Sequence, residues 1–262
     1  MTLPRIYCPL PLRSGDTVTL DKQAAQHVVR VLRLAPGDAL TLFNGQPFND
    51  HYGEYQATLK AASGTVLVGD FIARDTESPL HITLAQAISR GERMDYAVQK
   101  AAELGVTQIV PLVTEFCVVK MVAPGILPPA TLARPCASQD ERTGKRIAHW
   151  QGIATSACEQ SGRVRVPGVS APQTFGEWLP TVNASVKLVL DPLAQTTLRQ
   201  LPAPAGDIVL LVGPEGGLSD AEVAQARHAG FTPVRLGPRI LRTETVPAAA
   251  LAALQTLWGD WT

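Results

Sequence analysis

The sequence predicts an α/β protein in two parts, a small β-rich module followed by a larger domain on a mostly parallel sheet. Three observations carry this. Short runs with strand-like alternation crowd residues 1–73, with a single helical stretch among them. From residue 81 onward, apolar strand-like runs alternate with helical periodicity, the β–α–β rhythm of a parallel sheet. Near the C-terminus two such runs, at 208–212 and 232–236, each empty into a Gly-Pro loop, Gly213-Pro214-Glu215-Gly216-Gly217 and Gly237-Pro238-Arg239. Pattern alone gives an open Rossmann-like sheet, whose ligands bind in the crevice beyond the carboxyl ends of the strands.

In order, residues 5–7 begin a strand and 17–20 give a second with period-two alternation. Asp21 is placed to cap a helix carrying Ala24, Ala25, Val28, Val29 and Leu32, which leaves His27, Arg30 and Arg33 for other faces. Ala35-Pro36-Gly37-Asp38 is a turn, 39–43 a strand ending at Asn44-Gly45, and 52–60 and 65–73 two more strands about Ser63-Gly64. The polar run RDTESP at 74–79 marks a domain boundary, dividing the chain into 1–73 and 74–262. A strand at 81–88 follows. Met94, Ala97, Val98, Ala101 and Leu104 then share one face of a helix that Gly105 closes, and 106–113 is the next strand. Residues 121–139, with four prolines and no period, read as an irregular loop or partly disordered insertion. Residues 141–160 resume as a helix with Ile147, Trp150, Ile153, Ala154 and Ala157 on its apolar side. A strand at 186–190 ends at Leu190, before Asp191-Pro192, a third turn available to a site.

The stretch 207–262 organises the rest. Its first strand is apolar and rich in β-branched residues, as a fully buried strand should be. Ser219 and Glu222 spell a capping box that starts a helix, and Gly230 ends it. After Ile240-Leu241-Arg242-Thr243-Glu244-Thr245 comes a small apolar helix at 246–258. The first glycine loop lacks the Gly-Lys-Ser/Thr ending of a phosphate cradle and is too short for G-x-G-x-x-G. Glu215 within it would repel a pyrophosphate, so a ligand with an adenosine and little negative charge fits better than a nucleoside triphosphate.

Composition sets the bounds. A chain of 262 residues with 45% hydrophobic and 18% charged content describes a globular protein with ample core. No apolar run approaches the roughly 20 residues of a membrane span, and MTLPRIYCPL lacks the regions of a signal peptide. Cys8, Cys117, Cys136 and Cys158 share no C-x-x-C spacing, so neither a metal site nor a disulfide framework is expected, and a reduced cytoplasm is. Net charge is zero, which alone argues against nucleic acid. Yet Arg5, Arg13, Lys22, Arg30 and Arg33 outnumber Asp16 and Asp21 at the start of the chain, and arginine's planar fork suits phosphates and bases. Charge counting leaves RNA contact and ordinary surface arginine evenly balanced.

GPEGG followed by LGPRILRTET resembles the small-subunit ribosomal RNA methyltransferase E family of the knotted SPOUT superfamily. The resemblance covers nearly the whole chain and is strongest at 81–113, 147–167 and 207–257. It implies methylation of N3 of a uridine in 16S rRNA, naked or in the assembled small subunit, with S-adenosylmethionine as cofactor. It implies a PUA-like RNA-binding barrel over 1–73, a trefoil knot in the C-terminal α/β domain, and a homodimer with its sites near the subunit interface. Leu190, Gly213, Glu215, Gly217, Leu236, Gly237 and Leu241 become the cofactor-binding candidates. Arg5, Arg13, Arg30, Arg33, Arg163 and Arg165 become the RNA-binding ones, the last two in or beside the signature-like run Glu159-Gln160-Ser161-Gly162-Arg163, which is expected to contact RNA or the partner subunit near the active site, with a solvated helix end as the alternative. Three departures stand out: Phe116 where relatives carry arginine, Val246-Pro247 in place of small or hydroxyl residues, and the insertion at 121–139.

Uridine N3 holds its proton well above neutral pH, so methyl transfer to it needs a base or a cation that favours the anion. By resemblance Arg242 and Glu244 line the cofactor pocket and the reacting base. Arg242 is the candidate for stabilising a uridinate and Glu244 for accepting the proton, although Glu244 could equally cap the last helix. Glu215 is open between base and acceptor that holds the loop's shape. His228 has polar neighbours and reads as a surface residue, and His27 is a lesser RNA candidate. A non-catalytic RNA-binding protein, another RNA methyltransferase of the superfamily, and a nucleotide-binding hydrolase remain as other classes. The missing phosphate-loop lysine weighs against the last.

Overall fold

The structure, a computed structural model, describes residues 3–118 and 137–261, with backbone only for 137–140. The chain divides into two compact units: Met1–Glu77 with Thr155–Val166, and Ser78–Ala154 with Pro167–Thr262.

The first unit contains strands β1 (Arg5–Tyr7), β2 (Thr17–Thr19), β3 (Ala39–Phe43), β4 (Gly53–Ala61) and β5 (Thr65–Ala73), with helix α1 (Lys22–Gln26). Their order is β1-β3-β4-β5-β2, antiparallel except for the parallel β1–β3 pair. The alternation read from sequence puts Tyr55, Ala57 and Leu59 of β4 inward with Leu40, Leu42, Val66 and Val68. Register shifts along β4–β5 at Tyr55/Ala57 and Leu59/Ala61 curl the sheet, as bulges do. β1 and β2 are the ends of this curled sheet, so its hydrogen bonding does not close the barrel expected from sequence.

Asp21 caps α1 as expected, accepting from Ala24 N at 2.8 Å. The single helix predicted there is not found: α1 gives way to a π-helical turn, His27–Val31. The extra residue in that turn rotates the side chains after it. Val28 stays buried, but Leu32, predicted on the apolar face, is exposed beside Val31.

The second unit carries β6 (Ile82–Ala87), α2 (Glu92–Glu103), β7 (Gln108–Val113), α3 (Ala137–Ser161, which runs on into the segment 155–166), β8 (Gly168–Val169), β9 (Gln173–Thr174), α4 (Phe175–Trp178), β10 (Val186–Leu190), β11 (Ile208–Val212), α5 (Asp220–His228), β12 (Thr232–Val234) and α6 (Thr245–Trp258). The sheet order is β12-β10-β11-β6-β7-β8, every pair parallel, with β9 also on β7. β11 lies between β10 and β6 with all five residues buried, as its unbroken apolar run requires. β12 is an edge strand, where Pro233 is tolerated, and it stops at Val234 because Arg235 N turns away to Thr196 O at 3.0 Å. On one side Phe175, Trp178 and Phe231 pack with Val189, Val209 and Leu211. The predicted insertion at 121–139 lies outside the described residues except for 137–139, which already belong to α3.

Candidate active site

Three loops leave the carboxyl ends of adjacent parallel strands: 191–193 after β10, 213–219 after β11 and 235–244 after β12. Between them lies a cleft of about 980 Å³, lined by Leu190, Gly213, Glu215, Gly217, Leu241, Arg242 and Glu244 among others. A smaller recess lined by Leu236 and Gly237 shares Leu190 and Leu241 with it. The residues assigned from sequence to cofactor and chemistry thus converge on one place. Its volume falls within the roughly 300–1,000 Å³ of small-molecule sites.

The first loop keeps its shape through backbone contacts that only glycine allows. A Cβ on Gly213 would come 2.9 Å from the backbone of Gly217 and Leu218. Gly217 itself has φ +75°, with open space where its side chain would be. A Cβ on Gly216 would lie 2.9 Å from the Cβ of Phe116. Beyond the loop the predicted capping box forms: Ser219 Oγ accepts from Glu222 N, and Glu222 accepts from Ser219 N at 3.0 Å. Its other oxygen accepts from Glu115 N at 2.9 Å, which fastens α5 to the turn after β7. Thr243, buried, donates to Gly213 O at 3.0 Å and lies 3.3 Å from Ser89 Oγ.

Charge in the cleft centres on a residue the sequence reading missed. Arg93, in the first turn of α2, places Nη1 3.0 Å from Glu215 Oε1 and Nε 3.9 Å from Glu244 Oε2. Glu215 Oε1 also accepts from Arg90 N at 3.0 Å. Burial pushes the Glu215 pKa up, but these hydrogen bonds and the Arg93 charge outweigh it, and the carboxyl sits below its ordinary value. A carboxylate so held is a poor base, which favours the loop-shaping role for Glu215. Glu244 stands at the N-cap of α6, where a carboxylate favours the helix dipole, but its side chain makes no capping hydrogen bond. The Oε2 atoms of both glutamates are buried without a hydrogen-bond partner. Among the described residues the guanidinium of the exposed Arg242 has no hydrogen bond or ion pair.

The arginines assigned to RNA separate into two sets in the first unit. Arg13, Arg30, Arg33 and Arg165 are exposed, and Arg165 stacks its guanidinium 4.8 Å from the Tyr52 ring centroid. Arg5 and Arg163 are a correction. The Arg5 side chain is 7% exposed and bonds to Glu54 Oε2 (2.8 Å), Cys158 O (2.8 Å) and Arg163 O (3.0 Å). The Arg163 side chain is 5% exposed and paired with Glu77 Oε2 at 2.6 Å. Both forks are consumed in holding segment 155–166, Arg5 to the sheet and Arg163 to the stretch after β5. Glu159 is an internal anchor as well, accepting from Tyr7 N at 3.0 Å, rather than part of a solvated helix end.

A parallel sheet with a glycine-loop cleft at its strand ends, accompanied by a small curled sheet, is the plan of an RNA methyltransferase. The RNA methyltransferase domain family matches residues 76–125 and 129–255, and the RNA methyltransferase PUA domain family matches 20–46. Ribosomal RNA small subunit methyltransferase E of Buchnera aphidicola (from Schizaphis graminum) is 34% identical over 261 residues, 98% of each chain. The crystal structure of the Neisseria gonorrhoeae protein of that name, bound to S-adenosyl methionine, is 41% identical with a TM-score of 0.84, covering 99% of this chain and 100% of that one. A Legionella pneumophila methyltransferase in complex with the same cofactor is 39% identical with a TM-score of 0.87, again over 99% and 100%. The chain belongs to the ribosomal RNA small subunit methyltransferase E family.

Proposed function

We propose that this protein methylates N3 of a uridine in the 16S rRNA of the small ribosomal subunit, using S-adenosylmethionine. The observation that carries the reading is the convergence of the three loops on a cleft that Arg242, its guanidinium uncommitted, lines together with two carboxylates. The charge of the cleft suits that cofactor. Arg93, Arg227 and Arg242 face Asp191, Asp220, Glu215 and Glu244, an excess of one negative charge. A sulfonium ligand carries the opposite net charge. The two buried carboxylate oxygens that accept no hydrogen bond suit a ligand with N–H donors. Leu190, Leu236 and Leu241 supply apolar walls for an adenine, and Gly217 lets the backbone approach closely.

S-adenosylmethionine supplies the electrophilic methyl group when bound. The chain's own residues prepare the acceptor. Arg242 stabilises negative charge on the uracil ring, and Glu244 takes the N3 proton. Glu215 holds the first loop through Arg90 and Arg93. The module at 1–73 acts as a PUA-like RNA-binding domain, with Arg13, Arg30 and Arg33 as its phosphate contacts and Arg165, stacked on Tyr52, as a fourth. A trefoil knot in the C-terminal domain rests on the family to which the chain belongs. Exposed Tyr96 on α2 and Leu257 and Trp261 on and after α6 support a homodimer.

Mass spectrometry of small-subunit rRNA nucleosides from cells lacking the protein tests the activity. Loss of 3-methyluridine, restored by the gene, is expected, and its persistence would sink the reading. Calorimetric titration separates the other classes: binding of ATP without S-adenosylmethionine would mark a hydrolase, and binding of neither a bare RNA-binding protein.

A further inference from the structure

Arg93 occupies a place that local preference disfavours. It lies in the first turn of α2, after Glu92 and before Asp95, where the helix dipole favours anions. A cation there is disfavoured unless something else holds it. What holds it is a pair of carboxylates from two loops more than a hundred residues further on: Glu215 after β11 and Glu244 before α6. Local preference broken in favour of a long-range contact is a mark of a site rather than of helix stability. No other described residue is ion-paired to both carboxylates. One guanidinium between two carboxylates leaves a single negative charge for a ligand to meet.

We propose that Arg93 is a positioning residue of the active site: it clamps Glu215 and Glu244 together, and so holds the first and third loops at their working separation. The inference rests on the methyltransferase reading above and deepens it, because Glu244 is the proton acceptor there. Glu215 takes two donors on Oε1, from Arg90 N and Arg93 Nη1, while Glu244 has Arg93 as its one cationic neighbour within 4 Å among the described residues. Arg93 therefore shapes the first loop jointly with the backbone just ahead of α2 but places Glu244 alone. The other charges lining the cleft are Arg242 on the third loop, Asp191 after β10, and Asp220 and Arg227 of α5. Arg227 lies 3.7 Å from Asp191 and is engaged there. Removing Arg93 would leave the two glutamates with Arg242 as the nearby cation, which would draw Arg242 down from the position it needs above the base.

The test uses the full-length protein and its Arg93→Met and Arg93→Lys variants, without ligand and then with it. Carboxyl-carbon NMR of the ligand-free chain should show Glu215 titrating below its ordinary value, moving upward in Arg93→Met and most of the way back in Arg93→Lys. Amide exchange at Thr245 and Val246, whose N–H groups bond to Arg242 O, should quicken in Arg93→Met while the exchange of α2 stays as it was. Turnover on small-subunit rRNA should drop roughly tenfold to a hundredfold in Arg93→Met, the scale of a misplaced acid–base group, with little change in S-adenosylmethionine affinity. Unmoved Glu215 titration and unmoved exchange at Thr245 and Val246 would overturn the clamp. A wild-type chain that fails to methylate rRNA while the NMR and exchange shifts appear would instead overturn the functional reading and leave the clamp in place.

Discussion

Thr243 donates its hydroxyl to the carbonyl of Gly213 across 3.0 Å, which ties the loop after β12 to the loop after β11. Both residues lie at the carboxyl end of the sheet, and Thr243 is buried. Thr243→Val keeps the shape and removes the donor. It should lower stability by about 1–2 kcal/mol, because the Gly213 carbonyl keeps only a long contact to Gln86 Nε2 at 3.5 Å. Urea unfolding measures that, and calorimetry should show weakened S-adenosylmethionine binding. A variant with unchanged midpoint and affinity would mean that the tie is incidental.

Arg242→Ala should leave cofactor binding nearly intact and cut the methylation rate by about 10²–10³, the usual effect of losing one preorganised electrostatic partner. Arg242→Lys should recover part of it, since lysine keeps the charge and loses the fork. Single-turnover kinetics at saturating RNA is the measurement. Wild-type turnover in the alanine variant would remove Arg242 from the chemistry.

The two sets of arginines in the first unit should respond oppositely. Arg5→Ala leaves Glu54 only its 3.3 Å pair with Arg74 and takes a donor from the carbonyls of Cys158, Glu159 and Arg163, and should destabilise by about 3 kcal/mol. Arg13, Arg30, Arg33 and Arg165 replaced together should change stability by no more than about 1 kcal/mol. That variant should raise KM for RNA, with a salt slope flatter by roughly 0.7–0.9 for each phosphate no longer neutralised. Equal melting temperatures for wild type and Arg5→Ala would contradict this division.

Cys158 gives a pH prediction. Burial, aided by Glu77 and Glu159 and opposed by Arg163 and Arg5, pushes its thiol from 9.0 up to about 12. A folded-state value above the unfolded one favours folding while the thiol is protonated. That contribution is therefore whole below pH 9.0 and is lost as pH rises from there through about 12. Cys158→Ala should unfold with a shallower alkaline decline, and the native thiol should resist alkylation at neutral pH. An identical alkaline profile in the variant would show that other groups carry the effect.

What the sequence made legible was local. Ile208–Val212 reads as a buried strand because five apolar residues need both faces covered, and the Ser219/Glu222 box announces α5 through a contact only three residues long. The glycine loops point to the cleft because their backbone demands are written in residue type. The pair β8–β9 and the four-residue α4 escaped notice, since two-residue strands carry no period and exist by docking on β7. Arg5 looks like a surface arginine until Glu54 and Cys158, 49 and 153 residues away, close around it. Arg93 was hidden for the same reason: its partners are 122 residues off for Glu215 and further still for Glu244.

The approach of Phe116 to Gly216 has an evolutionary reading. With 2.9 Å between the phenylalanine Cβ and the site of a would-be methyl group, position 216 cannot gain a side chain while the turn after β7 stays where it is, whereas position 116 can change freely, because every residue but glycine carries that Cβ. Any lineage that acquires alanine at 216 must let the turn after β7 retreat, and a lineage that retreats there can accept alanine at 216 without strain. Position 216 should therefore stay glycine across descendants of this chain for as long as that turn keeps its place, although the turn lies a hundred residues away in the gene.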